Sequence, residues 1–246
     1  VEIVKGLVAM KRFIYLCTNA ILLQDHFDQL PVTPYLTLSI HLDGMEEDHD
    51  RIVDQKGTFK LAIAAIQEAK KRGFRVTSAT TFFEDTTVEK AEEFLDFLTP
   101  FGLDGITMAS AFRYQDAPDQ DHFFGRRRTF EFFDKLLAKN KKGRWDFSHS
   151  PLYLEFLRGK RDYSCTPWGN PSYSVLGWQK PCYLLDEGYA ETFKELMETT
   201  EWENYGHQNN RKCADCTAHC GYEPTAVEDA TSGLKGMFDS AKMVFQ

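Results

Sequence analysis

The sequence predicts an α/β protein, a (β/α) barrel or part of one, followed by a small cysteine-rich module. Three observations carry that expectation. Short apolar runs alternate with helix-length amphipathic stretches as far as Lys142, and repeated strand–helix units of this kind require a parallel sheet with right-handed crossovers. The residues that end the apolar runs are polar, as they are where such sheets bind ligands. After Gly143 the rhythm fades, and five of the six cysteines lie beyond that point. The expected organisation is therefore a barrel portion over 1–142 and a cysteine-rich domain over 143–246.

Val1, Val4 and Val8 stand at i, i+3 and i+7 with no N-cap before them. That is the pattern of a helix already under way, so the chain is expected to be the later part of a longer one. Phe13–Cys17 is a short buried strand ended by Thr18-Asn19. Pro31 and Pro34 punctuate the next loop, and Tyr35–Leu42 alternates as a second strand up to Asp43-Gly44. Thr58–Arg72 has helical spacing and is closed by Gly73. Phe74–Thr81 is a third strand. Thr86 and Glu89 form a capping box that starts a helix over Val88–Leu98. Leu103–Met108 makes a fourth strand, a loop holding Ala117-Pro118-Asp119 follows, and a basic, aromatic helix runs from about Phe123 to Lys141. Past the boundary, near 142–147, a helix is expected over Tyr189–Thr199 and a short amphipathic one over Ser232–Gln246.

The totals narrow the function classes. A net charge of −8 with no basic stripe argues against nucleic-acid binding, and Arg126-Arg127-Arg128 reads as the solvated face of a helix. No apolar run approaches the roughly 18–20 residues that span a bilayer, and no signal-peptide pattern is present, so a cytoplasmic location is expected. Twenty Phe in 246 residues can fill a core or line a pocket for a large apolar substrate.

Cys165 and Cys182 are separated by sixteen residues, with Gly177 five before the second; Cys213-Ala-Asp-Cys216-Thr-Ala-His-Cys220 follows. Thiolates two or three residues apart on a tight turn can reach one metal centre, whereas that spacing is poor geometry for separate disulfides. A cytoplasmic context points the same way. An iron–sulfur cluster and zinc, the latter with His219 as a further ligand, both remain open. At the strand ends, Cys17, Thr18, Asn19, His41, Asp43, Thr80, Thr81 and Ser110 are each explicable alone as a turn or cap residue. Converging in one plane, they read as a ligand site.

Several strings also resemble a known family. The segment Tyr15-Leu16-Cys17-Thr18-Asn19, and the strand running into His41-Leu42-Asp43-Gly44 with Gly57-Thr58-Phe59 opening a helix, are similar to the third and fourth strands of radical S-adenosylmethionine (SAM) enzymes. Ala117-Pro118-Asp119-Gln120, Cys165-Thr-Pro-Trp-Gly-Asn-Pro171, Gly177-Trp-Gln-Lys-Pro-Cys-Tyr-Leu-Leu185, Lys212-Cys213-Ala214-Asp215-Cys216 and His219-Cys220-Gly221-Tyr222-Glu223 resemble the adenosyl-hopene transferases of hopanoid biosynthesis. The resemblance covers nearly the whole chain and implies the later strands of a partial (β/α)6 barrel. The family's C-x3-C-x2-C, which holds the SAM-cleaving 4Fe–4S cluster, is not in this sequence, and the resemblance implies that the chain alone does not cleave SAM. Met108-Ala109-Ser110-Ala111-Phe112 also departs from the family's Pro/Gly-containing turn.

What the resemblance implies is addition of a 5′-deoxyadenosyl group to a hopene, with a flavodoxin or ferredoxin as reductant and transient contact with the inner membrane face. Thr18, Asn19, His41, Asp43, Thr80 and Thr81 would hold SAM. Cys17, the one cysteine outside the C-terminal set, would give a hydrogen atom to the product radical; alone, it reads equally as a small buried hydrophobe. Four of Cys165, Cys182, Cys213, Cys216 and Cys220 would hold an auxiliary 4Fe–4S cluster. A peptide-modifying radical enzyme and a non-catalytic zinc module are the alternatives.

Overall fold

The computed structural model describes residues 1–113 and 121–232. The loop with Ala117-Pro118-Asp119 and the helix expected beyond Ser232 lie outside the described residues. The chain divides into two compact units. One comprises Val1–Phe82, Thr86–Met108 and Gly143–Ser148; the other comprises Phe83–Asp85, Ala109–Lys142 and the chain from His149 onward.

The first unit begins with helix α1 (Glu2–Ala9) and continues β1 (Ile14–Thr18), β2 (Leu36–His41), α2 (Glu46–Ile52), α3 (Thr58–Lys71), β3 (Arg75–Phe82), α4 (Val88–Leu98) and the first three residues of β4 (Ile106–Ser110). The strands form one sheet in the order β1-β2-β3-β4, as expected of an α/β protein with parallel crossovers. In its parallel registers Cys17 stands beside Ser39, Ser39 beside Thr77, and His41 beside Ala79. Ile106 makes one further parallel bridge, to Phe147.

Alternation along a strand sends neighbouring side chains to opposite faces. One face carries Leu36, Leu38, Ile40 and Val76, all completely buried, and α3, with its buried Ala62, Ala65, Ile66 and Ala69, packs on β2 and β3. Each of the buried Leu, Ile and Val side chains contributes about 1.5–3 kcal/mol relative to exposure. The other face carries Cys17, Thr37, Ser39, His41, Thr77 and Thr81 and is polar.

Local chemistry sets the element ends. Asp50 caps α3 from a distance, accepting the N–H groups of Gly57 (2.5 Å) and Phe59 (2.8 Å). Gly73 closes the same helix at φ 86°, its N–H given to Lys70. The start of α4 differs from the expected box. Thr87 is its N-cap and accepts from the Lys90 N–H, because Thr87 is extended and the helix begins one residue later than a box on Thr86 requires. The fourth strand is also displaced, from the expected Leu103–Met108 to Ile106–Ser110. The Asp104 carboxylate accepts the Val76 N–H and pairs with Lys70, both at 2.8 Å, which holds 103–105 as a loop.

The second unit contains α5 (Arg126–Leu137), α6 (Pro151–Leu157), a three-stranded antiparallel sheet of β5 (Tyr173–Ser174), β6 (Gly177–Gln179) and β7 (Tyr189–Ala190), then α7 (Phe193–Thr199) and α8 (His219–Thr231). Buried Phe132, Phe133, Tyr153, Phe156 and Tyr222 fill its core, with the Phe156 and Tyr222 rings stacked 4.5 Å apart. Helix α5 is shorter than the expected Phe123–Lys141, since it starts where Asp215 accepts the Arg126 N–H. The expected helix over Tyr189–Thr199 splits. Tyr189 and Ala190 pair with Gln179 and Trp178, and Thr192 caps the helix that remains. Of the three arginines read as a solvated face, only Arg127 is exposed. Arg126 lies over the rings of Phe130, Phe156 and Tyr222 at 5.0–5.3 Å, and Arg128 reaches Glu84 and the Phe124 ring.

Candidate metal centre and cofactor site

All five C-terminal cysteines line one cavity of about 30 Å³ in the second unit. That is two to three times the roughly 10–15 Å³ that admits one water. Three separate segments bring them there. Cys165 precedes the 3-10 turn Pro167–Gly169 and is docked to α8, where Thr166 donates both its N–H (2.7 Å) and its hydroxyl (3.0 Å) to the Gly221 carbonyl. Cys182 follows β6. Cys213 closes the 3-10 turn Arg211–Cys213, Cys216 follows through a turn from its N–H to the Cys213 carbonyl (3.0 Å), and Cys220 lies in the first turn of α8. A Cβ on Gly221 would stand well inside 3.0 Å of the Cys165 sulfur, a separation real Cβ atoms essentially never show. Gly177, expected to present Cys182, has φ 119° and approaches the Ala190 carbonyl so closely that a Cβ would stand 2.6 Å from it.

All six cysteines are free thiols. The Ala218 N–H donates to the Cys216 sulfur (3.5 Å), and the nearby N–H groups of Leu184, Leu185 and Gly206 favour the thiolates of Cys182 and Cys213. The Tyr183 hydroxyl meets Cys220. Burial pushes all five thiols up, Cys220 to about 12. They therefore hold their protons at neutral pH until a metal displaces them. Arg126 supplies positive charge nearby and donates to the Cys216 carbonyl (2.7 Å).

Among the described residues, no three His, Cys, Asp or Glu side chains are gathered tightly enough for a single ion. His219 is not among the residues lining it; its ring lies 6.1 Å from that of His149. Four thiolates suffice for a 4Fe–4S cluster, so this donor set, with N–H groups near sulfur, fits one.

In the first unit, Cys17, His41 and Thr81 share the polar face of the sheet, and Cys17 is exposed. His41 Nε2 lies 2.6 Å from Asp43 Oδ2. The hydrogen bond to Asp43 raises the His41 pKa against the cost of burial. Asp43 Oδ1 accepts the Thr81 N–H (2.8 Å), and the Asp43 N–H meets His49 Nδ1 (3.2 Å). His49 is pushed down by burial. Thr18 and Asn19 are spent locally, accepting the N–H groups of Ala20 and Ile21. Thr80 points to the helix-covered face. Sequence reasoning missed Ser39 and Thr77, although period two from His41 and Thr81 picks them out. The buried Thr77 hydroxyl has no hydrogen-bond partner among the described residues. His49, Tyr183 and Arg126 were missed too, and no local pattern marks them.

Comparison with known proteins fits this arrangement. Residues 1–98 match the radical SAM superfamily. The native structure of anSMEcpe with bound AdoMet and Kp18Cys peptide superposes with TM-score 0.55 at 18% identity, over 95% of this chain and 72% of that one. The same protein with AdoMet alone gives 0.53 at 16%, over 95% and 71%. At such identities the likeness is one of fold. None of the curated proteins is similar enough to match. The protein thus has the α/β fold of the radical SAM superfamily. More particularly, residues 106–240 match the domain of unknown function DUF3463, and the chain belongs to that family.

Proposed function

We propose that this chain is part of a radical SAM transferase that adds a 5′-deoxyadenosyl group to a hopene, with an auxiliary 4Fe–4S cluster held by four of Cys165, Cys182, Cys213, Cys216 and Cys220. The observation that carries the cluster assignment is the single cavity walled by all five thiols. The substrate assignment rests on the C-terminal sequence strings. SAM, when bound, would supply the adenosyl radical. His41, its ring oriented by Asp43, offers an N–H donor to ribose oxygens from the polar face of the sheet, and Thr81 stands on the same face. Thr18 and Asn19 at the end of the neighbouring strand belong to the same proposed set through their backbone, whereas Thr80, on the helix-covered face, would act only by positioning that strand end.

Addition to an alkene leaves a carbon radical on the product. The exposed Cys17 thiol has a weak S–H bond and would give its hydrogen atom to that carbon. The sulfur radical formed would then take one electron from the flavodoxin or ferredoxin and one proton from solvent, regenerating the thiol. In the full-length protein, Cys17→Ser is expected to abolish reduced product while SAM cleavage continues; unchanged product overturns the role.

Anaerobic reconstitution with iron and sulfide tests the cluster. Roughly four irons per auxiliary site, lost when the five C-terminal cysteines become serine, support it. Zinc alone would favour a structural module. The likeness to a peptide-bound anSMEcpe favours a second reading, peptide modification, and turnover of a hopene but not of cysteine-containing peptides decides against it.

A further inference from the structure

The β5–β6 hairpin carries its two most apolar residues at its tip. Val175 is 101% exposed and Leu176 67%, between the paired Ser174 and Gly177. Hairpin tips of this length ordinarily hold Asn, Asp or Gly. Behind the tip stands a run of aromatic rings. Tyr173, 66% exposed, meets Trp178 edge-on at 5.0 Å, and Trp178 meets the exposed Phe193 at 5.1 Å. We propose that this tip is a membrane-contact finger, which inserts Val175 and Leu176 into a zwitterionic lipid surface while Tyr173, Trp178 and Phe193 sit at the headgroup level.

Three features select a lipid surface. One of the two tip amides is already satisfied, because the Leu176 N–H is given to the Ser174 hydroxyl (3.2 Å), which lowers the cost of insertion that an unpaired amide would add. Aliphatic residues outermost with Tyr and Trp behind them follow the depth order of a bilayer interface. A tip of two side chains cannot supply the roughly 800 Å² per partner of a stable protein interface. Charge sets the lipid type. Glu191 follows β7 and Lys194 lies in α7, so the elements behind the tip carry both signs and not an excess of positive charge that would call for anionic lipid.

The inference extends the proposed function by giving the membrane contact a location. Its test uses no enzyme activity, so it can fail while the substrate assignment stands. The full chain is sedimented with pure phosphatidylcholine vesicles and Trp fluorescence is followed. The wild type is expected to partition to the vesicles with a blue shift. Val175→Asp/Leu176→Asp is expected to lower the partition coefficient at least roughly tenfold, with the far-UV circular dichroism unchanged. No partition by the wild type, or equal partition by the double variant, overturns the proposal. So does self-association in the absence of vesicles that the double variant abolishes, since the tip would then serve a second copy.

Discussion

Gly169 closes the 3-10 turn that follows Cys165, and it sits against Pro224 of α8. A Cβ at Gly169 would stand 2.7 Å from Pro224 Cβ and 2.9 Å from its Cγ, where ordinary contact is 3.4–4 Å. The proline ring cannot rotate away, so Gly169→Ala must separate the Cys165 segment from α8 by about 0.7 Å. That movement strains the two hydrogen bonds from Thr166 to the Gly221 carbonyl. Overpacking of this kind costs about 1–3 kcal/mol. The stiffer unfolded chain returns about 0.4–1 kcal/mol, which leaves a net loss near 1–2 kcal/mol. Gly6→Ala is the control. Gly6 lies inside α1 with nothing within 4 Å of the new methyl, and the change should stabilise by about 0.5–1 kcal/mol. Urea denaturation measures both, and a shifted midpoint at constant slope reports stability. The iron content of reconstituted Gly169→Ala should also fall, because Cys165 moves with its turn. If Gly169→Ala proves as stable as wild type and keeps its iron, the docking of that turn on α8 does not shape the cavity.

Arg126→Lys keeps the charge but loses the stacking on three rings and the planar donor to Cys216, so a loss of about 2–4 kcal/mol is expected in the same titration. The His41–Asp43 pair should appear in an NMR pH titration. The raised pKa means that its stabilisation is fully present below about pH 6.5 and is lost as pH rises through the higher folded value; Asp43→Asn should bring the His41 midpoint down. His49 has the opposite sign, because its depressed pKa makes its contribution present above about pH 6.5 and lost as pH falls. Thr87→Ala removes the α4 cap and should cost about 1 kcal/mol in thermal or urea unfolding. A null effect there would restore the capping box on Thr86.

The strands, the helices that cover them and the cysteine group were legible in the sequence because each rests on a local rule. Alternation marks β2, the 3.6-residue period marks α3, and close spacing marks Cys213 and Cys216 as partners. What the sequence could not decide depended on groups far apart in the chain. Asp104 shortens β4 by holding the Val76 N–H, twenty-eight residues away. Asp215 starts α5 from eighty-nine residues on. Arg126, indistinguishable by composition from exposed Arg127, is drawn under three rings from α5, α6 and α8. Among the strand-end residues, spacing alone could not separate Cys17, His41 and Thr81, on the polar face, from Thr80, on the helix-covered one. The parallel register made that separation, since one residue of shift exchanges the faces of a strand. Composition and period thus determined which pieces exist. Side chains that reach across the fold decided where each piece ends and what it faces.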